Sequence, residues 1–337
     1  MTEKMKTIGI HKSEDNFSLV EHPMPSASGH DLLVKIDAIA INPVDTKVRA
    51  KLTEESTQAR ILGWDAMGIV EAAGDDTSLF KVGDKVFYAG DITRPGCYAS
   101  HQLVDERIVG KAPKSLSSEE AAVMPLTSIT AWEALFSRLK INPEQDQGRT
   151  ILIIGGAGGV GSIAIQLAKS IAKLNVVTTA SQEKSQAWCQ QLGADHIINH
   201  RHDLVEQYQQ LVIAEPDYIL CLSDTDYYFD SMAQLIAPEG MICSIVETSK
   251  EHQLDTLKSK SAGFIWEFMF TRSMMKTSSM IKQHHLLNNI ADLLDQGVIV
   301  STLTEQLGTI SPQNIQVAHD KILTGRTIGK IALGPFE

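Results

Sequence analysis

The hydrophobic positions of this chain follow two different patterns, and the change from one to the other divides the sequence. Before residue 117 the apolar residues form short β-rich runs bounded by glycine or proline, without a helical period of useful length. These runs cover residues 7–10, 32–41, 66–73 and 85–88. The pattern predicts an irregular β domain in this part of the chain.

Helical signals begin at Ser117. The segment Ser117-Ser118-Glu119-Glu120 has the serine and the glutamate of a capping box, which predicts the start of a helix. A second helix is expected at about residues 127–139. We expect these two helices to join the β domain to the region that follows.

Strands and helices alternate from residue 150 onward. Apolar runs predict strands at residues 151–154, 175–179, 196–198, 217–222 and 241–246, and a helix is expected at residues 184–192. Strands that alternate with helices of roughly ten to fifteen residues pair in parallel through right-handed crossovers. The sequence therefore predicts an α/β fold with a doubly wound parallel sheet.

The alternation is expected to stop after residue 246. Residues 264–270 are the most apolar segment of the chain, and we expect them to pack in a core or a domain interface and not to contact a cofactor. Residues 280–294 have apolar positions at near-helical spacing, and residues 328–333 predict a last strand.

A glycine-rich segment lies between the first strand of the alternating region and a helix-forming stretch. It has the pattern G-x-G-x-x-G and consists of Gly156, Ala157, Gly158, Gly159, Val160 and Gly161. Glycines allow a tight turn and close approach to a pyrophosphate, and a helix N-terminus supplies free amides and positive potential. The segment predicts a dinucleotide-binding loop. The alternative interpretation is a glycine-rich turn in an ordinary α/β domain.

The residues after the second strand of this region indicate which dinucleotide is bound. Domains that prefer NAD place an acidic residue at the end of that strand, where it binds the ribose 2′-hydroxyl. Residues 177–181 contain no acid, while Ser181 and Lys184 offer a hydrogen-bond donor and a positive charge to a 2′-phosphate. This predicts NADPH. In the alternative interpretation, Ser181 caps the next helix and Lys184 is a solvated surface charge.

Composition excludes several classes of partner. The 337 residues are enough for two domains, and the formal charge of −11 argues against binding to nucleic acid. No run of eighteen apolar residues and no signal-peptide core is present, so we expect a cytoplasmic protein without a membrane partner. Four well-separated cysteines match no zinc or redox spacing: Cys97, Cys189, Cys221 and Cys243.

Several motifs together resemble one family. The motifs are Asn42-Pro43-Val44-Asp45, Gly63-Trp64-Asp65-Ala66-Met67-Gly68, Val82-Gly83-Asp84-Lys85-Val86, the segment Pro125 to Trp132, the glycine loop, Gly193-Ala194-Asp195 and Gly329-Lys330-Ile331. From end to end the chain resembles the medium-chain dehydrogenase/reductase superfamily, also called the zinc-containing alcohol dehydrogenase family, and above all its quinone oxidoreductase branch. Residues 266–272 resemble a bacterial subgroup named zinc-type alcohol dehydrogenase-like proteins.

The resemblance implies how the two parts of the chain are organised. A GroES-like β domain would consist of residues 1–124 and 268–337, and an inserted Rossmann domain would cover residues 125–267. It further implies an active site in the cleft between these domains, a small-molecule substrate, and a homo-oligomer that is a dimer or a tetramer.

The resemblance also bears on metal binding. By motif alignment, Asn42 stands where zinc-dependent members have a ligand cysteine, and Trp64 stands where they have a ligand histidine. Tryptophan does not bind zinc, and asparagine is a poor ligand beside thiolate or imidazole. The four-cysteine lobe of a structural zinc site is absent, so we expect no metal. The close histidine pairs, His200 with His202 and His284 with His285, are expected to be surface residues.

The reaction implied by the resemblance is hydride transfer from NADPH to quinones or α,β-unsaturated carbonyl compounds. Asn42 and Thr130 should contact the nicotinamide or its ribose, and His200 fills a position where related reductases use a tyrosine beside the 2′-phosphate. Asp45 is either a polar anchor of the site or a helix cap, and Asn42 is alternatively a turn residue before Pro43.

Two questions about the chemistry stay open at this point. The general acid is not identified, and Tyr88 and Tyr98 are its unplaced candidates. The alternative functions are a metal-independent ketone or aldehyde reductase, and an NADPH-binding redox sensor with little turnover.

Overall fold

The computed structural model describes residues 4–336 except 13, 15 and 54–58. The chain divides into two compact units, which are considered separately below. The first unit consists of Met1–Ile129 and Phe270–Glu337, and the second unit is Thr130–Met269.

The secondary structure is as follows. The strands are β1 (Lys4–Ile10), β2 (Ser18–Pro23), β3 (Asp31–Ile41), β4 (Arg60–Ile61), β5 (Ala66–Ala73), β6 (Lys85–Tyr88), β7 (His101–Asp105), β8 (Val109–Lys111), β9 (Thr150–Ile154), β10 (Asn175–Thr179), β11 (His196–Ile198), β12 (Tyr218–Cys221), β13 (Met241–Ser244), β14 (Gly263–Trp266), β15 (Leu303–Gln306) and β16 (Lys330–Leu333). The helices are α1 (Pro43–Ala50), α2 (Ser118–Ala122), α3 (Pro125–Trp132), α4 (Gly159–Ser170), α5 (Glu183–Gln191), α6 (Leu204–Gln210), α7 (Thr225–Leu235), α8 (Thr271–Met274), α9 (Lys282–Asp295) and α10 (Pro312–Leu323). Short 3₁₀ helices cover Glu106–Ile108 and Leu254–Lys260, and a π-helix covers Glu133–Arg138.

The first unit is built on β-sheets. A small sheet has the strand order β2-β1-β4, and a larger sheet has the order β15-β16-β3-β5-β6-β8, with β7 also paired to β3. The pairs of β3 with β16, β5 and β7 are antiparallel. The predicted runs at residues 66–73 and 85–88 coincide with β5 and β6, and the other two runs lie within β1 and β3. The expected β domain is confirmed.

Helix α1 forms directly after β3, in the part of the chain where the sequence shows no helical period of useful length. This helix of eight residues is too short to show a clear hydrophobic period. Its signals are instead Pro43 at the first helical position and Asp45 in the first turn. The Asp45 carboxylate accepts the backbone N–H of Asn42 at 2.8 Å, which satisfies a donor at the start of the helix.

Later helices follow their predicted signals closely. Ser117 and Glu120 form the expected capping box at the start of α2: Ser117 Oγ accepts the Glu120 N–H, and the Glu120 carboxylate accepts the Ser117 N–H. Helix α3 with its π-helical continuation, residues 125–138, overlaps the helix predicted at about 127–139, and α9 overlaps most of the amphipathic segment 280–294. The surface position expected for His284 is wrong: it is 8% exposed, and its Nδ1 lies 2.7 Å from the Val109 carbonyl oxygen.

The second unit contains a parallel sheet with the strand order β11-β10-β9-β12-β13-β14. The first strand in sequence, β9, lies in the middle, and the chain winds outward to both sides. This is the doubly wound arrangement of a Rossmann domain, as predicted. All four residues from Ile151 to Ile154 are fully buried, which explains their unbroken apolar pattern.

The alternation of this sheet continues beyond residue 246, where we expected it to stop. Strand β14 pairs in parallel with β13 and forms an edge of the sheet. The connection to β14 contains a 3₁₀ helix and no α-helix, so the sequence lacks the helical period that marks the other crossovers. The core position expected for residues 264–270 holds for Met269 and Phe270 but not for Trp266 and Phe268, which are 45% and 43% exposed.

Two further findings concern the chain as described. The four cysteines are buried and form no disulfide. Across residues 4–336, apart from the seven that the structure does not describe, no helix combines the length and apolar character that a bilayer span requires.

Candidate active site

Three neighbouring strands of the larger sheet in the first unit bring polar residues to one edge. Asn42 follows the end of β3, Asp65 precedes β5, and Lys330 is the first residue of β16. Strand β3 pairs with β5 on one side and with β16 on the other. Because both pairs are antiparallel, the end of β3 meets the beginnings of its two neighbours.

The three side chains form a buried hydrogen-bonded group, which we call the lysine cluster. Lys330 Nζ donates to Asp65 Oδ2 at 3.1 Å, to the Ile41 carbonyl oxygen at 3.0 Å and to Asn42 Oδ1. Asn42 Nδ2 donates to the same Asp65 oxygen at 3.1 Å. Asn42 and Asp65 are each 1% exposed and Lys330 is 3% exposed. The cluster is therefore almost completely buried.

The charges of the lysine cluster compensate each other. Burial raises the pKa of Asp65, whereas the positive charge of Lys330 and the hydrogen bonds that Asp65 accepts lower it. One of these bonds joins Asp65 Oδ1 to the Leu126 backbone N–H at 3.0 Å. Because a buried ion is costly without its partner, the lysine and the aspartate depend on each other.

A second buried network lies beside the first. Asp45 Oδ2 accepts a hydrogen bond from the Tyr98 hydroxyl at 3.0 Å, in addition to the N–H of Asn42. The Tyr98 oxygen also lies 3.0 Å from His319 Nε2. Burial raises the pKa of Asp45 to about 7 and lowers the pKa of His319 to about 3. Asp45 thus makes the predicted helix-cap contact and also anchors a buried tyrosine.

The two tyrosines that the sequence left unplaced are both enclosed. Tyr88 is 1% exposed and Tyr98 is 0% exposed. Burial raises the pKa of each well above its usual value, so both hydroxyls stay protonated at neutral pH.

The glycine loop of the second unit contains glycines of two kinds. A Cβ atom at Gly156 would lie 2.0 Å from Thr178 Oγ1, and one at Gly161 would lie 2.4 Å from the Gly155 carbonyl oxygen. A Cβ atom at Gly158 would meet only the Gly155 carbonyl oxygen, at an ordinary 3.8 Å. The fold itself therefore requires Gly156 and Gly161, whereas the space beside Gly158 is left open.

The open space lies at the start of a helix. Gly158 is the N-cap of α4, has no side chain to cap the first turn, and is followed by Gly159 and Val160. The loop residues Ala157 to Val160 are partly exposed. Free N–H groups and the positive end of the helix dipole favour an anion at such a terminus. This arrangement fits a dinucleotide pyrophosphate.

A second group of polar residues follows the carboxyl ends of β10 and β11. We call it the strand-end group; its members are Ser181, Lys184, His200 and Arg201. The two strands pair in parallel, with Thr179 opposite Ile198, so the residues after them emerge side by side. Within the described residues, the side chains of Ser181, Lys184 and Arg201 make no hydrogen bond or ion pair.

Helix capping does not account for Ser181. The N-cap of α5 is Gln182, and its backbone N–H donates to Ser185 Oγ at 3.1 Å. His200 is partly buried, and burial together with the charge of Arg201 lowers its pKa. Arg201 is a cation at this place that our sequence analysis missed, although it directly follows His200.

The predicted site residues lie in both units. Asn42 and Asp45 belong to the first unit, where the structure joins them directly. The glycine loop, the strand-end group and Thr130 belong to the second unit. Thr130 lies on α3 and is 5% exposed.

Comparison with known proteins identifies the family. The model for the alcohol dehydrogenase GroES-like domain matches residues 28–114, and the model for the zinc-binding dehydrogenase matches residues 159–293. A zinc-type alcohol dehydrogenase-like protein of Staphylococcus aureus (strain MSSA476) is 45% identical over 337 residues, covering 98% of this chain and 99% of the relative. The chain belongs to the medium-chain dehydrogenase/reductase family.

Two other members of this family are informative. Quinone oxidoreductase of Homo sapiens is 32% identical over 316 residues, covering 92% of this chain and 91% of the human protein. A solved structure from Rhizobium etli CFN 42, of a protein that carries the name zinc-dependent alcohol dehydrogenase, is 42% identical. It superposes with a TM-score of 0.94 and covers 100% of both chains. The chain is thus an oxidoreductase of a family that binds a nicotinamide cofactor.

The family names raise the question of zinc, and the residues present do not fit that metal. Trp64 is fully buried, and its indole Nε1 donates to the Asp91 carbonyl oxygen at 3.1 Å, so it offers no lone pair. The oxygens of Asn42 and Asp65 that face the cluster already accept hydrogen bonds from the Lys330 ammonium. A zinc ion there would meet a positive charge and lack its preferred sulfur and nitrogen ligands. Within the described part of the chain, no group of three or more His, Cys, Asp or Glu side chains is arranged to hold a metal.

Several residues of the site had weak signals in the sequence. Asp65 and Lys330 stand within the motifs Gly-Trp-Asp and Gly-Lys-Ile, which we used only to recognise the family. A charged residue beside a strand that is otherwise buried is unusual unless it is paired, and this signal could have identified both. His319 on α10 had no signal that distinguished it from a surface histidine.

Proposed function

We propose that this chain catalyses hydride transfer from NADPH to quinones or α,β-unsaturated carbonyl compounds without catalytic zinc. The observation that carries the proposal is the Lys330 ammonium, which binds the oxygen of Asn42, at the position of the ligand cysteine in zinc-dependent relatives, and the oxygen of Asp65 beside it. A Lewis acid lowers the hydroxyl pKa of an alcohol substrate, but in this site the oxygens of Asn42 and Asp65 are already bound by the Lys330 ammonium. An acceptor that is already electrophilic needs less assistance.

The proposed binding mode uses separate parts of the second unit. The residues from Gly156 to Gly161 would hold the pyrophosphate, with the open space at Gly158 allowing close approach. NADPH supplies the hydride when it is bound. Thr130 and, from the first unit, Asn42 would bind the nicotinamide or its ribose and orient it, as we inferred from the family resemblance.

The strand-end group supports NADPH over NADH. Ser181 offers a hydroxyl donor, and Lys184 and Arg201 offer two positive charges that have no partner within the described residues. His200 lies beside Arg201 and adds a ring nitrogen. A 2′-phosphate would satisfy these groups, whereas a ribose 2′-hydroxyl would leave the charges unpaired. The human quinone oxidoreductase, at 32% identity, also supports the proposed substrate class.

An acceptor panel with purified, tag-free protein tests the proposal. NADPH oxidation is followed with 1,4-benzoquinone, 9,10-phenanthrenequinone and a conjugated enone, and with simple ketones, aldehydes and buffer alone as controls. We expect turnover with the first three, negligible oxidation of simple alcohols in the reverse assay, and well under one zinc per chain by metal analysis. Activity should survive a chelator.

The other outcomes identify the alternatives. Efficient reduction of simple ketones or aldehydes without metal would indicate a carbonyl reductase and refute the proposed acceptor class. Tight NADPH binding without turnover of any acceptor would indicate a sensor. One tightly held zinc per chain, with activity lost on chelation, would show that the interpretation of the lysine cluster is wrong.

A further inference from the structure

The Lys330 ammonium has no donor left for a substrate. A lysine ammonium carries three N–H donors, and Lys330 uses them on Ile41, Asn42 and Asp65. Lys330 is 3% exposed, and its own backbone N–H donates to the Thr302 carbonyl oxygen at 2.9 Å. Lys330 is thus held by hydrogen bonds at its backbone and at its ammonium. It can therefore affect the reaction only indirectly, through the residues that it contacts.

These contacts determine which way the Asn42 amide points. An ammonium only donates, so the amide atom beside Lys330 has to be the oxygen. The carboxylate of Asp65 accepts, so the atom 3.1 Å from its Oδ2 has to be the nitrogen. A flipped amide would place its N–H₂ group against the Lys330 ammonium and its oxygen against the Asp65 carboxylate. Two donors would then face each other at Lys330, and two acceptors at Asp65, so the flip is unfavourable. Asn42 therefore holds a single orientation.

That orientation leaves one hydrogen bond unused. The amide nitrogen has two N–H groups, and Asp65 accepts only one of them. The backbone next to this side chain is also fixed, because the Asn42 N–H donates to Asp45 at 2.8 Å. The remaining N–H of Asn42 is consequently a preorganised donor whose position is set by charged neighbours.

We propose that Lys330 is a positioning residue, which fixes the Asn42 amide so that its free N–H serves as a hydrogen-bond donor to the nicotinamide or the carbonyl acceptor. This inference rests on the proposed function, because it requires Asn42 to face the cofactor or the substrate. Lys330 orients the Asn42 amide, as a bound metal ion orients its ligands, and does not contact the reacting atoms itself. Asp65 completes the group by holding the other amide N–H.

A double-mutant cycle in kcat tests whether Lys330 acts through Asn42. The variants are Lys330→Met, Asn42→Ala and the double variant, assayed by NADPH oxidation with 9,10-phenanthrenequinone. Loss of one preorganised donor should lower kcat on the order of a hundredfold for Asn42→Ala. Lys330→Met should lower kcat by about ten- to a hundredfold through misplacement of the amide. In the double variant the Lys330 change should add almost nothing to the loss.

Controls separate positioning from general damage. Lys321 lies in the same unit, and its ion pair with Glu305 at 2.6 Å is partly exposed, so Lys321→Met should leave kcat unchanged. NADPH affinity, measured by fluorescence, should also stay within about twofold of wild type in Lys321→Met. Lys330→Arg, which keeps the charge, should restore part of the activity. Independent, multiplying losses in the double variant would overturn the proposal.

A readout without substrate covers the case in which Lys330→Met does not fold or no acceptor is found. In protein labelled with ¹⁵N at its eight asparagines, the Asn42 side-chain amide is assigned by its loss in Asn42→Asp. In folded wild type we expect two inequivalent protons that exchange slowly with water. Lys330→Arg should shift them while the other asparagine signals stay in place. A fast-exchanging, averaged Asn42 signal in wild type would overturn the proposal.

Two results separate a wrong reaction from a wrong role of Asn42. If wild type reduces no quinone, enone or aldehyde but the Asn42 amide is fixed and responds to Lys330, the proposed function is wrong and the fixation stands. If wild type reduces quinones and Asn42→Asp keeps normal kcat, the reaction stands and the donor role of Asn42 is wrong, because that variant retains the acceptor for Lys330 but lacks the N–H.

Discussion

The lysine cluster and the strand-end group each contain a lysine among polar side chains, but they differ in burial and in hydrogen bonding. In the first unit Lys330 is 3% exposed, and its ammonium makes three hydrogen bonds within the protein. In the second unit the Lys184 and Arg201 charges are exposed, and no ion pair within the described residues uses them. The donors of the Lys330 ammonium are all used within the protein, whereas those of Lys184 are available to a ligand.

This difference shows how to assign roles to polar residues that motifs alone present as equivalent. A buried and saturated group acts on the residues around it, so its removal should first affect stability and geometry. An exposed and unsatisfied group at a strand end should affect binding while leaving the fold intact. The same contrast separates Gly161, which the fold requires, from Gly158, which it does not.

The sharpest test of the comparison is the stability of two lysine variants. Lys330→Met leaves Asp65 buried without its counter-ion, and we expect the free energy of unfolding to fall by ~3–5 kcal/mol. The matched change Lys321→Met removes a partly exposed ion pair and should cost less than ~1 kcal/mol. Denaturant unfolding measures both. Equal losses of unfolding free energy in the two variants would show that burial does not determine how much the Lys330 ion pair contributes to stability.

Two glycines of the glycine loop are expected to give the next largest effect. Gly161→Ala places a methyl group against the Gly155 carbonyl oxygen and should lower the free energy of unfolding by about 2–3 kcal/mol. Gly158→Ala should leave stability within about 0.5 kcal/mol of wild type. It should nevertheless weaken both NADPH and NADH by at least about tenfold, because both cofactors carry the pyrophosphate. Normal cofactor affinity in Gly158→Ala would place the phosphate elsewhere.

The sequence was sufficient for features that depend on local pattern. The strands β10 and β11 coincide with their predicted ranges, because each is a short apolar run between turn residues. Helix α1 and strand β14 were missed: one is too short for a hydrophobic period, and the other follows a 3₁₀ connection. The domain boundaries predicted at residues 124/125 and 267/268 stay a prediction.

The lysine cluster was not predictable from local pattern at all. Asp65 and Lys330 are separated by 265 positions in the chain, and their contact exists only because β16, β3 and β5 are neighbours in one sheet. The motifs containing these residues indicated the family but not the strand order. A pairing of this kind follows from topology, whereas the glycine loop is recognisable from spacing alone.

The preference for NADPH or NADH tests the role of the strand-end group. Lys184→Ala should weaken NADPH binding by about 1.5–3 kcal/mol, the value of a charge-assisted hydrogen bond, and leave NADH nearly unchanged. Ser181→Asp should shift preference toward NADH by repelling the 2′-phosphate. Lys169→Ala is the control, because Lys169 already pairs with Asp195 at 2.6 Å. Equal affinity of the wild type for both cofactors would show that the strand-end group does not bind the 2′-phosphate.

A pH dependence of stability is expected to originate in the buried network of the first unit. Burial raises the pKa of Asp45 from an unperturbed 3.8 to about 7 in the folded protein. Between about pH 4 and 7 the folded state holds a proton that the unfolded state has released, so this residue's contribution to stability declines as pH rises, by at most about 1.4 kcal/mol per pH unit. His319 stays neutral over the same range, because its pKa is about 3.

Asp45→Asn removes this titration while preserving an oxygen that accepts the Asn42 N–H. We expect the unfolding free energy of the variant, relative to wild type, to increase as pH rises from 4 to 7 and to level off above 7. Denaturant titrations at each half pH unit measure the difference, so that carboxylates common to both proteins cancel. The matched control is Asp195→Asn, whose carboxylate is partly exposed and paired with Lys169. A constant difference between wild type and Asp45→Asn across this range would mean that Asp45 ionises in the folded protein as it does in the unfolded chain. In that case the Tyr98 hydroxyl and the Asn42 N–H would be compensating fully for its burial.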